Sequence, residues 1–244
     1  MPARPALRRV AAEALGTGVL LCAIVGSGIM AANLTQDVAL QLLINALSTI
    51  AALGVMIWAL GPISGAHFNP AVTLVALSRR ELPVGEAASY VVAQVLGGLA
   101  GAAVANLMFT LPALHPSTQA RDTSNLWLGE VVATAGLIGL IGALTRSGNG
   151  RLGPIVVPAW IGAGYFFTSS TSFANPAVTI ARSLTDTFSG IAPAGVAAFI
   201  TAQLGGAVIG ALLTELFYPC RGIPESLDLS ADATPHTPPA RSRT

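Results

Sequence analysis

The sequence predicts an all-α membrane protein in which six spans and two short re-entrant helices form an inverted repeat. Three observations predict it. Hydrophobic residues make up 53% of the 244-residue chain and charged residues only 9%, a balance far from that of a soluble domain. The string Asn69-Pro70-Ala71-Val72-Thr73 recurs as Asn175-Pro176-Ala177-Val178-Thr179, each time interrupting an apolar stretch. Residues of the third span also match those of the sixth at constant offset, the mark of an internal repeat.

At about 20 apolar residues per span, the spans fall near residues 10–33, 40–60, 83–109, 126–144, 154–167 and 191–217, the fifth being short. The first resembles a secretory signal, because Arg8 and Arg9 precede an apolar run ending in small residues. Glu13 within that run and the five spans that follow argue against cleavage. In the third span Tyr90, Ala93, Gln94, Gly97 and Gly101 match Phe199, Ala202, Gln203, Gly206 and Gly210 in the sixth. Glu13 and Thr17 of the first span match Glu130 and Thr134 of the fourth. Three spans per half bring the second half in from the opposite side, so the halves are inverted. The paired glycines put small residues on one helix face, where backbones approach closely.

All the basic charge is arginine. With the N-terminus inside, Arg4, Arg8, Arg9, Arg79, Arg80, Arg146, Arg151, Arg221, Arg241 and Arg243 are cytoplasmic, and only Arg121 and Arg182 lie outside. That asymmetry places both termini in the cytoplasm. The expected organisation is a cytoplasmic tail over 1–9, a first repeat over 10–109, an extracellular loop over 110–125, a second repeat over 126–218 and a cytoplasmic tail over 219–244. The last segment is rich in Pro, Ser, Thr and Asp, lacks apolar periodicity, and is expected to be disordered. Cys22 lies mid-span and Cys220 beyond the last span, so no disulfide framework is suggested.

Helix-end physics gives the repeated string its chemistry. Asn before Pro is an N-cap followed by Pro at the first helical position, where a missing amide hydrogen costs nothing. The runs that follow, 71–77 and 177–184, are long enough to cross half a bilayer. Two such half-helices entering from opposite faces bring Asn69 and Asn175 together at the midplane, as in inverted-repeat channels and transporters. Their side-chain amides can donate to a passing hydroxyl or water, while the positive helix ends oppose cations and protons.

These residues resemble the aquaporin and aquaglyceroporin family, the major intrinsic proteins. The resemblance covers about residues 8–218 and rests on Ser64-Gly65-Ala66-His67-Phe68-Asn69-Pro70-Ala71-Val72, on the second Asn175-Pro176-Ala177, and on the paired Glu13 and Glu130. It implies an aquaporin-like right-handed bundle in the lipid bilayer, one pore per protomer, and a homotetramer. Glu13 and Glu130 would brace the re-entrant loops, with a proton-relay role as the alternative for charge inside a membrane. His67 would pin the first loop.

The departure from the family is Val178. Most members carry Arg immediately after the second Asn-Pro-Ala, as part of an outer selectivity filter. Carrying the other filter positions across by spacing gives Thr49, Ala163 or Gly164, and Ser172, with Phe173 intruding if the loop is offset by one residue. None of the first four is a large aromatic, so the filter is expected to be wider and less polar than that of a strict water channel. Arg182, four residues after Val178 and about 5.4 Å further along a helix, is expected in the outer vestibule, neutralised by Asp186.

Val178 and the residues after it resemble a bacterial subgroup associated with arsenic-resistance operons, which implies a location in the bacterial inner membrane. The expected cargo is small, neutral and hydroxylated: arsenious acid, glycerol, and water less favourably. A strict water channel is one alternative. An ion-coupled secondary transporter is another, although no carboxylate sits beside either motif, and a structural junction protein is a third. No metal-ligand spacing, phosphate-cradling loop or nucleophile-base set points to an enzyme, a metal or a cofactor. Scattered arginines likewise give no nucleic-acid face.

Overall fold

The computed structural model describes residues 3–219; the expected disordered tail, apart from Pro219, lies outside them. Eight α-helices follow in order: α1 (Ala3–Leu34), α2 (Val38–Ser64), α3 (Pro70–Ser78), α4 (Val84–Met108), α5 (Ser124–Arg146), α6 (Gly153–Phe167), α7 (Pro176–Arg182) and α8 (Pro193–Phe217). There is no strand among the described residues. Five of these helices are long and apolar enough to cross a membrane. The fifth span is α6, whose 15 residues reach only about 22 Å; a bend and turn over 168–170 then lead to the second asparagine.

Residues 3–9, expected as a tail, instead continue α1. Arg9 explains part of this, because it is bonded rather than solvated. Its Nε donates to the Tyr90 hydroxyl at 3.0 Å and its Nη1 pairs with Glu86 at 2.8 Å.

The repeat is visible in the packing. α1 packs most extensively on α4 and α5 on α8, while α3 and α7 also touch α8 and α4 of the opposite halves. Helix contact is backbone to backbone at the paired glycines. A Cβ on Gly97 or Gly101 would collide with the carbonyls of Ala14 or Gly18, and one on Gly206 or Gly210 with those of Val131 or Ala135. Side-chain-free seams of this kind replace the hydrophobic drive that helices lack in lipid. Large apolar residues correspondingly face outwards, among them Leu47, Val55 and Trp58 of α2 and Leu212 and Leu216 of α8, the inverse of a soluble protein.

Candidate functional site: a lumen with two asparagines at its waist

Each half-helix is started by its asparagine. Asn69 is extended (φ −153°), and its side-chain oxygen accepts from the Ala71 amide at 2.9 Å. Asn175 (φ −158°) accepts from Ala177 and Val178 at 3.0 and 3.3 Å. Proline follows at the first helical position in both. The side-chain nitrogens then cross over. Asn69 Nδ2 donates to the Ala174 carbonyl at 2.7 Å, and Asn175 Nδ2 donates to the Phe68 carbonyl at 2.8 Å. An amide carries two N–H donors, so each asparagine keeps one for the lumen, which both residues line.

The segment before each asparagine carries left-handed backbone at matched positions: Ala66 and Phe68 (φ 52° and 49°), then Ser172 and Ala174 (φ 53° and 48°). Such residues cost about 1 kcal/mol each, and the alternation gathers successive amide hydrogens into an anion-binding nest. A buried glutamate fills each nest. Glu13 accepts from the His67 and Phe68 amides at 3.0 and 2.7 Å. Glu130 accepts from those of Phe173 and Ala174 at 2.9 and 2.8 Å. Gln94 Nε2 bridges Glu13 to Thr73, and Gln203 Nε2 bridges Glu130 to Thr179. His67 hydrogen-bonds Thr73 through Nδ1 at 3.1 Å and sits edge-on to Tyr90.

The lumen is a cavity of about 330 Å³ running past both asparagines. Its wall is mostly apolar, and two stripes of four-residue spacing supply much of it: Thr49, Leu53 and Ile57 from α2, and Gly153, Val157, Ile161 and Tyr165 from α6. The stripes meet where the hydroxyls of Thr49 and Tyr165 lie 3.1 Å apart. Away from this pair Arg79 and Glu81 also line the cavity, and Arg79 reaches Glu215 of α8 at 3.8 Å.

The residues around Val178 differ from expectation at α6 and at Arg182. The α6 residue that lines the lumen nearest these positions is Tyr165. Ala163 is exposed on the outer face, and Gly164 packs on Ser172, where a Cβ would stand 2.6 Å from the serine side chain. Phe173 and Ser172 both line the lumen, so an aromatic is present after all. Arg182, finally, is no vestibule residue: it is 3% exposed, lines the lumen, and lies with Cζ 3.5 Å from the Phe173 ring centroid. α7 ends at Arg182, and its Nε donates to the Ser189 carbonyl, which turns the guanidinium inwards. Asp186 accepts instead from the Thr118 amide and hydroxyl, at 2.8 and 2.9 Å.

Val178 is 3% exposed and also lines the lumen. The hydroxyl of Ser172 is buried without a protein partner among the described residues. Sequence reasoning missed Tyr165, although the stripe 153–157–161–165 carries the signal. It also missed Arg121, a half-buried loop residue whose Cζ lies 5.1 Å from the Phe173 centroid. Burial lowers the Arg121 guanidinium from its usual pKa.

Known proteins share this arrangement. The profile of the Major intrinsic protein family matches residues 2–172. The chain is 51% identical over 217 residues to the aquaglyceroporin AqpS of Rhizobium meliloti (strain 1021), covering 88% of this chain and 93% of that one. It is 31% identical over 218 residues to the aquaporin NIP1-1 of Oryza sativa subsp. japonica, covering 85% and 73%. The X-ray structure of the aquaglyceroporin from Plasmodium falciparum superposes with a TM-score of 0.62 at 20% identity, over 88% of this chain and 96% of that one, a likeness of fold. The chain therefore belongs to the major intrinsic proteins, the aquaporin and aquaglyceroporin family of multi-pass membrane channels that pass small uncharged solutes down their gradients.

Proposed function

We propose that this channel carries small polyhydroxylated neutral solutes, arsenious acid and glycerol foremost, with water as a secondary permeant. The observation that carries the reading is Val178. An apolar side chain lines the lumen one residue after the second Asn-Pro-Ala, so this position itself contributes no charge and no donor. A tri-hydroxyl solute needs a few placed polar groups on an otherwise apolar wall. Candidates are the second N–H of Asn69 and of Asn175, the Thr49–Tyr165 hydroxyl pair and the unpartnered Ser172 hydroxyl. Charged species would meet an apolar wall and the amino ends of two half-helices, and so would lose hydration without replacement.

A strict water channel is the second reading, and Arg182 favours it. Its buried guanidinium lies beside Phe173 in the lumen, so a cation from one turn later could narrow the same constriction. Reconstituted vesicles decide between them: swelling in glycerol and uptake of arsenite, measured beside osmotic water flow, should all exceed those of empty vesicles. Water flow alone above that background would leave the strict water channel.

The same reading places the protein in a bacterial inner membrane as a homotetramer with both termini cytoplasmic. The two repeats then span residues 10–109 and 126–218 about an extracellular loop. The arginine asymmetry and the outward apolar residues of α2 and α8 support it.

A further inference from the structure

The loop between the two halves does more than join them. It is laid along the segment that follows α7. His115 and Ser117 amides donate to the Leu184 and Ser183 carbonyls at 3.0 and 2.9 Å. Thr118 holds Asp186 at 2.8 Å, and the Ala192 amide donates to the Gln119 carbonyl at 2.7 Å. Two residues on, the strap delivers Arg121. Its Nε donates to the Gly190 carbonyl at 3.0 Å and its Nη1 to the Ser170 carbonyl at 3.4 Å. Both Arg121 and Arg182 therefore lie over the ring of Phe173, at 5.1 and 3.5 Å from its centroid. No ion pair is formed by either arginine among the described residues.

Phe173 and Arg182 line the lumen, whereas Arg121 does not. Arg121 thus touches the ring without lining the lumen, beside Phe199, which packs edge-on to it at 5.2 Å between centroids. A ring face attracts a guanidinium, and two fixed backbone carbonyls hold this one in place. We propose that Arg121 is a specificity-determining residue of the channel, a positioning group that keeps Phe173 forward in the outer constriction and so sets its width. The inference rests on the channel reading but not on arsenious acid as cargo. Without Arg121 the ring gains room to retreat, the constriction widens, and larger solutes gain over water.

The test is the ratio of glycerol to water permeability in vesicles holding equal amounts of folded protein, with water flow as internal standard. Arg121→Gln should raise the ratio at least about threefold, near the low end of what one cation–π contact is worth. Phe173→Ala should raise it comparably, and Arg121→Gln in the Phe173→Ala background should add nothing further, because both act through one ring. Arg121→Lys, which keeps a cation, should stay within about twofold of the parent. Independent, multiplying effects of the two substitutions would overturn the proposal, as would equal shifts for Gln and Lys. So would an unchanged ratio in Arg121→Gln where Phe173→Ala changes it. A parent that passes water but no glycerol would defeat the proposed cargo and leave this inference intact if Arg121→Gln then admits glycerol.

Discussion

Asn69 is joined to Ala174 by a 2.7 Å hydrogen bond that crosses from one half of the chain to the other. The reciprocal bond from Asn175 to Phe68 makes the waist a closed exchange. Asn69→Ala removes a helix cap and a crossing bond at once, which should cost about 2–3 kcal/mol. Thermal unfolding in detergent would show it, with Asn175→Ala shifted by a similar amount; midpoints equal to the parent's would mean that the crossing bonds stabilise nothing.

Val178→Arg should reduce glycerol and arsenite flux at least about tenfold while reducing water flow much less, because it adds bulk and charge at the level of the filter. Proteoliposome uptake of the three solutes measures this. Equal inhibition of all three would remove Val178 from the filter.

Glu130 has no exposure to solvent and accepts two backbone amides and Gln203. In Glu130→Gln one acceptor becomes an amide that faces donors, at a cost of about 2–4 kcal/mol. Denaturation in detergent should place this variant well below the parent. Solute flux in the parent should ignore an imposed proton gradient; acceleration by the gradient would revive the proton-relay role.

Gly101→Ala sets a methyl against the Gly18 carbonyl, which is backbone and cannot move aside. A loss of about 1–3 kcal/mol is expected from overpacking. Gly205→Ala, where nothing lies within 4 Å, should be neutral or slightly stabilising. The yields of monodisperse protein for the two variants give the comparison.

Asp186 is held below the ordinary carboxyl value of 3.8 by the Thr118 amide and hydroxyl. A depressed folded value means that its contribution is present above that pH and lost as pH falls through the folded pKa. The Thr118 amide should therefore resist hydrogen exchange near pH 6, keep that protection at the ordinary carboxyl value of 3.8, and lose it as pH falls further, after correction for intrinsic rates. Asp186→Ala should lack the protection throughout; protection that survives in it would mean that other contacts hold the strap.

The sequence made the scaffold legible because its bracing and packing residues largely appear twice. Glu13 and Glu130, Gln94 and Gln203, and Gly97 and Gly206 each confirm the other's place within matching spans. The outer constriction breaks that symmetry: Arg121 comes from the unrepeated connecting loop, and Arg182 matches no arginine in the first half. Transfer by spacing also assumes a loop length between α6 and the second asparagine, and a different length puts Tyr165 in the lumen where Ala163 or Gly164 was expected. The inward turn of Arg182 depends on the Ser189 carbonyl, a tertiary contact that no local pattern announces.

The crossed asparagine bonds also bear on how the protein can move. A carrier that rocks its halves would have to break both bonds in every cycle and remake them in register, with left-handed backbone on either side. The two halves are instead riveted at their centre, so the traffic moves and the wall stays still. Throughput is then set by the gradient across a fixed conduit, and no turnover rate of the protein itself limits it.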